Sequence, residues 1–260
     1  MKAVFIADAH IKGLDDPNQK SLVLFLGHLA RTVRPDKLII LGDLFDFWTG
    51  FNEVVYARYL PVLERLLRLR EKGTGIIYLE GNHDFFMGSF FTEVLGAEVY
   101  PDCHEITLDG KRILLSHGDV TDTSLKYRLW RRLLRSFALR ALTRVLSPAT
   151  VWRVARRLSS NSRRNLERSQ AIERHLKGFA RRRIRSGFDA VVLAHSHIAA
   201  VDTETIGTRE GIYANPGSWE SDMSYLLYED GEFRLERYNP RGRRTRKRAD
   251  VIRLDRRRKG

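Results

Sequence analysis

Five short polar clusters in the sequence contain the residue types that bind metal ions, and each follows a run of apolar residues. The clusters are Asp8-Ala9-His10, Gly42-Asp43-Leu44-Phe45-Asp46, Gly81-Asn82-His83-Asp84, His117-Gly118-Asp119 and His195-Ser196-His197. Carboxylate, amide and imidazole groups suit Mn, Fe or Zn, and the clusters contain no thiolate. Two cations about 3.5–4 Å apart can polarise a phosphoryl group and activate water. The clusters therefore predict a two-metal site for the hydrolysis of a phosphate ester or anhydride.

A single cluster of this kind would be weak support for a metal site. One Asp-x-His or His-x-His pair is usually an accident of surface or core, and Gly-Asn-His-Asp alone fits an ordinary turn. Five clusters in order, each at the end of a predicted strand, make coincidence improbable. In open α/β sheets the loops at the carboxyl ends of parallel strands converge on one crevice, so residues far apart in sequence can share a site.

The elements that must position the clusters alternate between short apolar strands and amphipathic helices. The first predicted strands lie at 3–7, 37–41, 75–79, 112–116 and 190–194. Helices are predicted at 21–33 and 54–72, and this βαβ rhythm indicates a largely parallel sheet with helices outside it. Later segments fit antiparallel strands with a hairpin turn at Glu229-Asp230-Gly231. They are 200–206, 211–214, 223–228 and 232–238.

Positive charge is concentrated in two parts of the chain. The formal net charge is +14. Residues 126–185 contain 19 Lys and Arg against 2 Asp and Glu, and residues 241–260 contain 11 against 2. The rest of the chain is therefore acidic, which suits a cation site. The two basic parts suit phosphate-bearing partners or an anionic membrane.

One domain is predicted at 1–240, with a basic helical insertion at about 122–186. Apolar residues recur in the insertion at helical spacing. They are Trp130, Leu133, Leu134, Phe137, Ala138, Ala141, Leu142 and Val145. Arginines lie mostly off this stripe, so a simple cap with a core-facing stripe and a solvated Arg face is an alternative to a ligand-binding lid. The basic tail, 241–260, has little apolar content and is expected to be disordered.

The sequence gives no sign of a membrane span or of secretion. No apolar run reaches the roughly 18–20 residues needed to cross a bilayer. Residues 1–7 form one short apolar strand rather than a secretory signal. Cys103 is the single cysteine, so an intrachain disulfide is impossible. We therefore expect a cytoplasmic protein whose basic lid and tail make a peripheral contact with the anionic inner membrane.

The five clusters resemble the five motifs of the calcineurin-like metallophosphoesterases over about residues 1–220. The resemblance implies an α/β/β/α sandwich, two sheets flanked by helices. It also implies two divalent ions, taken to be Mn²⁺ with Fe or Zn as alternatives. By position, Asp43 bridges the two ions, and the turn at Asn215-Pro216-Gly217-Ser218 resembles one common in the superfamily. The implied ligands are Asp8, His10, Asp43 and His197 for one ion, and Asp43, Asn82, His117 and His195 for the other.

The resemblance also implies that His83 and Asp84 are catalytic. In the superfamily a His at this position, paired with the following Asp, lies near the leaving group, where it can stabilise charge or donate a proton. The alternative is that His83 only fixes the Asn82 loop. Asp46 and Asp119 are expected to orient ligands, since carboxylates outside the coordination sphere commonly hold ligating His rings.

Two features narrow the resemblance to the UDP-2,3-diacylglucosamine hydrolases of lipid A biosynthesis. An aromatic pair, Phe47-Trp48, follows the second motif, and a helical lid lies between the fourth and fifth motifs. A lid with apolar helices and Arg suits a substrate with acyl chains and a diphosphate. His83, where the well-studied branch has Arg, and the turn at 215–218 depart from that family. The implied contacts to the nucleotide sugar are Asp122, Ser162, Asn165 and Arg168.

The function implied by this resemblance is hydrolysis of UDP-2,3-diacylglucosamine to UMP and 2,3-diacylglucosamine 1-phosphate. A phosphodiesterase or nuclease is the alternative enzyme, because the basic parts would contact nucleic-acid phosphates. The apolar stripe and the lack of interleaved exposed aromatic residues weigh against nucleic acid. A non-catalytic scaffold on the same fold is a remote alternative, since all seven ligand positions are filled.

Overall fold

The computed structural model describes residues 1–50, 54–121, 124–136, 150, 166–240 and 251–253. Helices α1 to α5 are Pro17–His28, Leu60–Glu71, Leu125–Leu134, Leu166–Arg185 and Trp219–Asp222. Strands β1 to β7 are Lys2–Ile6, Lys37–Ile40, Trp48–Thr49, Gly75–Leu79, Asp84–Phe85, Glu98–Tyr100 and Cys103–Leu108. Strands β8 to β14 are Lys111–Ser116, Ala190–Val192, Ala200–Ile206, Arg209–Asn215, Ser224–Glu229, Glu232–Arg237 and Val251–Arg253.

Two mixed sheets form the centre of the fold. The first has the order β14-β13-β12-β1-β2-β4-β6, in which β1, β2, β4 and β6 run parallel. The second has the order β10-β11-β9-β8-β7, in which β11, β9 and β8 run parallel. The βαβ rhythm alone indicated one sheet. The chain begins a second sheet because β7 and β8 form an antiparallel hairpin through Asp109 and Gly110, whose φ angles are 49° and 77°.

The alternation of side chains along the central strands produces four layers. In β1, Ala3 and Phe5 face the second sheet, whereas Val4 and Ile6 face the layer of α1 and α2. On the far side of the second sheet, α4 buries residues spaced at one turn. They are Leu176, Ala180 and Ile184, packed on Leu114, Val191, Leu193 and Tyr213. The α/β/β/α sandwich implied by the sequence is confirmed.

The two outer helices form where helices were predicted, but their first residues differ from the prediction. The predicted helix at 21–33 begins earlier, at Pro17, where Asp16 accepts a hydrogen bond from the Asn18 N–H at 2.9 Å. The helix continues as a π-helical turn, Leu29–Val33. Helix α2 occupies the later part of the second predicted helix. Both helices stand outside the first sheet and leave the strand ends free for the polar clusters.

The first helix of the insertion, α3, turns two of its arginines inward and three of its leucines outward. Arg131 and Arg135 pair with acidic residues of the main domain, whereas Leu125, Leu129 and Leu133 are 69%, 58% and 56% exposed. The alternative of a core-facing stripe with a solvated Arg face is therefore wrong for these arginines and for Leu133. The acidic strand ends decide the orientation, because buried carboxylates need cationic partners. The stripe from 137 to 145 and the Trp130 side chain lie outside the described residues.

Part of the predicted tail forms a strand. Val251–Arg253 pairs antiparallel with β13, with Phe233 opposite Ile252, so the expectation of a disordered tail is wrong for these three residues. The β-branched pair Val251-Ile252 suits a strand, and β13 offers it an edge. Residues 241–250 and 254–260 lie outside the described part. Among the described residues, no helix is long and apolar enough to cross a bilayer.

Candidate metal centre

The seven candidate ligands lie at the ends of strands from both sheets. Asp8 and His10 follow β1, Asp43 follows β2 and Asn82 follows β4. The ligands from the second sheet are His117 after β8 and His195 and His197 after β9. Backbone hydrogen bonds join the first two loops, since Asp8 N–H donates to Gly42 O at 3.2 Å and His10 N–H donates to Asp43 O at 3.0 Å.

Most of the candidate ligands have backbone conformations that are uncommon for residues other than Gly. The φ angles are 51° at Asp8, 45° at His10, 53° at Asp43, 70° at His195 and 63° at His197. Each such conformation costs about 1–3 kcal/mol and persists only where the surrounding structure fixes it. Backbone strain of this kind is concentrated at functional sites, which supports a functional role for these loops.

Two glycines let the ligand loops approach each other. A Cβ atom on Gly81 would lie 2.1 Å from Asp43 Oδ1, and one on Gly42 would lie 2.8 Å from His117 Nδ1. Gly42 also has a φ of 81°. Because both contacts are too short for any side chain, the positions require Gly.

The first group of ligand atoms gathers around Asp8. His197 Nε2 lies 3.3 Å from Asp8 Oδ1, and His10 Nε2 lies 3.8 Å from the same oxygen. His10 Nε2 is also 3.9 Å from Asp43 Oδ2. The ligand atoms of Asp8, His10 and His197 lie within 4.8 Å of one another, close enough to share one ion.

The second group gathers around His117. His117 Nε2 lies 3.2 Å from Asn82 Oδ1, 3.2 Å from His195 Nδ1 and 3.5 Å from Asp43 Oδ2. The other ring nitrogen, Nδ1, donates to Leu41 O at 2.7 Å, which leaves Nε2 as the ligand atom. Asp43 Oδ2 thus lies between the two groups, the position that a bridging carboxylate needs.

The charges of the site attract a cation. Burial lowers the pKa of His117, but the Asp43 and Asp8 carboxylates outweigh it and raise that pKa to about 9. Burial favours the neutral rings elsewhere, lowering the pKa of His10 to about 3 and that of His195 to about 4. The site therefore combines imidazole rings whose neutral form is favoured, at His10 and His195, with carboxylates that stabilise a neighbouring positive charge.

The residues present fit a pair of divalent ions. Asp8 Oδ1 is buried and accepts no hydrogen bond of good geometry from the described residues, although His197 Nε2 lies 3.3 Å away. A buried carboxylate oxygen without a partner is costly unless a cation lies against it. The donors are carboxylate, amide and imidazole atoms, the set that Mn, Fe and Zn accept.

His83 lies at the edge of the first group. Its ring centroid is 4.8 Å from that of His10, and its Nδ1–H donates to Asp46 O at 2.9 Å, leaving Nε2 as the atom that can meet a substrate. Burial lowers the pKa of His83, but Asp43 and the Asp46 carbonyl raise it above its ordinary value. A half-buried ring beside the ligands, whose surroundings favour its protonated form, is suited to donate a proton to a leaving group.

His83 and Asp84 were predicted to act as a pair, but no hydrogen bond between their side chains is present among the described residues. The Asp84 side chain is fully buried and accepts hydrogen bonds from the N–H groups of Asp43 at 2.9 Å, Leu44 at 2.7 Å and Gly81 at 3.0 Å. Burial and the Asp43 charge raise the pKa of Asp84 to about 7, and these donors oppose that rise. These contacts fit a role for Asp84 in positioning the Asp43 loop, and its catalytic role stays a prediction.

Replacing Asp84 with Ala is expected to lower the free energy of unfolding by at least about 3 kcal/mol, because each buried N–H left unpaired costs about 1–3 kcal/mol. Urea denaturation with a metal chelator present measures this without a contribution from bound ions. Asp84→Asn keeps one acceptor oxygen and is expected to lose less than Ala. A loss below about 1 kcal/mol in Asp84→Ala would contradict this role.

Asp119 was expected to orient a ligating His, but its side chain contacts the first lid helix. Its Oδ2 accepts from Tyr127 OH at 2.9 Å and from Arg131 Nε at 2.8 Å. One turn further along α3, Arg135 Nη1 lies 3.1 Å from Glu80 Oε2. Helix α3 is thus fixed by ion pairs to residues next to two ligand loops. The i,i+4 spacing of Arg131 and Arg135 is the signal that could have indicated a shared face.

The turn at 215–218 holds the Asp8 loop. Gly217 has a φ of 78°, and its N–H donates to Asn215 Oδ1 at 2.9 Å. Ser218 Oγ donates to Asp8 O at 2.9 Å. The turn therefore supports a ligand loop without supplying a ligand.

The predicted contacts to the nucleotide sugar fall mainly outside the described residues. Asp122, Ser162 and Asn165 all lie there. Arg168 lies near the beginning of α4 with an exposed side chain. No described contact joins it to the ligand cluster, so its role stays a prediction.

Comparison with known proteins identifies the family. The model of the calcineurin-like phosphoesterases matches residues 1–199. The chain belongs to this family. This metallophosphoesterase is 30% identical over 239 residues to the UDP-2,3-diacylglucosamine hydrolase of Aeromonas salmonicida, covering 91% of this chain and 93% of that protein. The UDP-2,3-diacylglucosamine hydrolase of Neisseria meningitidis serogroup B is 28% identical, and the match covers 88% of this chain and 95% of that protein. Membership confirms a metal-dependent hydrolase.

Proposed function

We propose that this metallophosphoesterase hydrolyses UDP-2,3-diacylglucosamine to UMP and 2,3-diacylglucosamine 1-phosphate. The observation that carries the proposal is the position of Asp43 Oδ2, 3.5 Å from His117 Nε2 and 3.9 Å from His10 Nε2, between two complete ligand groups. Similarity to hydrolases of that name over nearly their whole length supports the choice of substrate.

The site residues have two proposed roles, metal binding and stabilisation of the leaving group. Asp8, His10, Asp43 and His197 would hold one ion, and Asp43, Asn82, His117 and His195 the other, with Mn²⁺ as the proposed metal. When bound, the two ions supply Lewis acidity that polarises the α-phosphoryl group and makes water a better nucleophile. His83 stabilises or protonates the departing sugar 1-phosphate.

The insertion is proposed to hold the rest of the substrate. Asp122, Ser162, Asn165 and Arg168 would contact the nucleotide sugar. Arg131 and Arg135 already form ion pairs with Asp119 and Glu80. We therefore propose that other arginines of the lid bind the diphosphate. Guanidinium groups suit this role because they bind phosphate bidentately.

The outer face of α3 supports a peripheral membrane contact. Leu125, Leu129 and Leu133 are exposed there, and Arg128 and Arg132 on the same helix are also exposed. A helix that combines apolar and cationic side chains binds the interface of an anionic bilayer. We propose that this face rests on the inner membrane, from which the lipid substrate would enter.

Leu129→Ser is expected to weaken binding to anionic vesicles by about 10-fold or more, because burying a leucine side chain in the interface contributes roughly 1.5–3 kcal/mol. Cosedimentation with phosphatidylglycerol vesicles at low salt measures the effect. Leu24→Ser, at a leucine that is 53% exposed on α1, is the matched control and should bind like the parent chain. Equal loss in both variants, or no loss in Leu129→Ser, would contradict the contact.

A comparison of three substrates tests the proposed reaction. The purified chain with Mn²⁺ is incubated with UDP-2,3-diacylglucosamine, single-stranded DNA or a chromogenic phosphodiester, and products are separated by thin-layer chromatography. Release of UMP from the lipid at the highest rate is the expected result. Faster cleavage of DNA would favour the nuclease instead.

A further inference from the structure

A buried hydrogen-bond network links α4 to the loop that carries two candidate ligands. Glu173 Oε2 accepts from Ser196 Oγ at 2.7 Å and from Tyr213 OH at 3.0 Å. Asn215 Nδ2 donates to Ser196 Oγ at 3.0 Å. Ser196, Tyr213 and Asn215 are fully buried, and Glu173 is 8% exposed, so the loss of one member would leave buried polar atoms of its neighbours without that partner.

Ser196 lies between the two ligands of its loop. His195 and His197 both have positive φ angles, a conformation that neither residue favours by itself. The Ser196 hydroxyl also accepts from the Ile198 N–H at 3.3 Å. The loop is therefore fixed at its middle residue, and Glu173 is the anchor that a different element supplies.

The same helix also touches the other histidine loop of the second sheet. Leu176 is fully buried on α4, and its Cδ2 is 2.9 Å from where a Cβ atom on Gly118 would lie. Gly118 follows His117 directly. One face of α4, with Glu173 and Leu176, thus packs against the loops of three ligands.

We propose that Glu173 is a positioning residue for the metal centre, which it supports from α4 by fixing the His195-Ser196-His197 loop through the Ser196 hydroxyl. The proposal rests on the two-metal site proposed above. The required feature is the acceptor oxygen and not the charge, because both hydroxyls donate to Oε2. Gln, which keeps one such oxygen, should therefore replace Glu, and Ala should not.

Mn²⁺ binding to the intact chain, followed by isothermal titration calorimetry, tests this role without reference to any substrate. Glu173→Ala is expected to weaken binding by about 10–100-fold, the range found when residues that orient ligands are changed. Glu173→Gln is expected to stay within about threefold of the parent chain. The control for weaker docking of the helix is Arg181→Ala. Arg181 lies two turns after Glu173 on α4, and its Nε is 2.7 Å from Glu204 Oε2. This variant should bind Mn²⁺ normally.

A double-mutant cycle separates positioning from a general loss of stability. Ser196→Ala should weaken Mn²⁺ binding to a similar extent as Glu173→Ala, and the double variant should lose little more than either. Additive losses, an unchanged affinity in Glu173→Ala, or an equal loss in Glu173→Gln would each overturn the proposal. If Glu173→Ala fails to fold, Ser196→Ala and Glu173→Gln still decide the question.

The proposed substrate and the role of Glu173 can fail separately. If the parent chain binds Mn²⁺ but does not cleave UDP-2,3-diacylglucosamine, the substrate is wrong and the calorimetry still tests Glu173. If the parent cleaves that substrate and Glu173→Ala binds Mn²⁺ normally, only the role of Glu173 is wrong.

Discussion

Asp43→Ala is expected to bind neither metal ion tightly and to lose at least about 10³-fold in kcat/KM, because Lewis-acid stabilisation is worth several kcal/mol. Asp43 Oδ2 is within 4 Å of His117 Nε2 and of His10 Nε2, so its removal affects both ligand groups. Elemental analysis of the purified variant and hydrolysis of a chromogenic phosphodiester measure the two losses.

Two further variants keep this result interpretable. Asp43 has a φ of 53°, which Asn adopts more readily than Ala, so Asp43→Asn should fold normally and still bind metal poorly. Asp15→Ala removes a fully exposed carboxylate and should leave metal content and activity unchanged. Two metal ions and most of the activity in Asp43→Ala would show that the ligand assignment is wrong.

His83→Ala is expected to lower kcat by about 10²–10⁴-fold while the metal content stays intact. The reason is its position: the ring lies beside His10, Nδ1 donates to Asp46 O, and the ring belongs to neither of the two proposed ligand sets. Steady-state kinetics with Mn²⁺ at saturation, together with elemental analysis, separates an effect on the leaving group from loss of metal.

The control is a histidine away from the site. His175→Ala changes an exposed ring on α4 and should leave kcat unchanged. If His83→Ala also keeps its kcat, His83 has only the structural role of fixing the Asn82 loop. A fall in kcat that is accompanied by loss of metal would likewise remove it from the chemistry.

The ligand cluster could be predicted because each ligand is specified locally. A strand that ends in Asp-x-His or Gly-Asp places its polar residues at the sheet edge whatever the rest of the chain does. The four layers followed from the resemblance, whereas the βαβ rhythm alone indicated one sheet. The βαβ rhythm could not divide the strands between two sheets, because the apolar run 112–116 fits a strand of either sheet.

The direction of individual side chains could not be predicted in the same way. Asp84 follows His83 in sequence, yet its carboxylate points into the interior, where three backbone N–H groups need an acceptor. The alternative of a simple cap would place Arg131 and Arg135 on a solvated face, but these side chains form ion pairs with Asp119 and Glu80. In these cases the partner lies far away in the chain, and a local pattern contains no information about it.

A series of substrates with different acyl chains tests the proposed function most directly. Each buried methylene contributes roughly 0.8 kcal/mol, so binding should weaken steeply as the chains shorten, and kcat can fall too if remote binding energy positions the phosphoryl group. With Mn²⁺ fixed and substrate below the micelle threshold, we expect kcat/KM for long-chain UDP-2,3-diacylglucosamine to exceed that of the deacylated UDP-sugar by several orders of magnitude, with UMP as a product. A flat series would contradict the lipid substrate and leave the two-metal phosphoesterase standing.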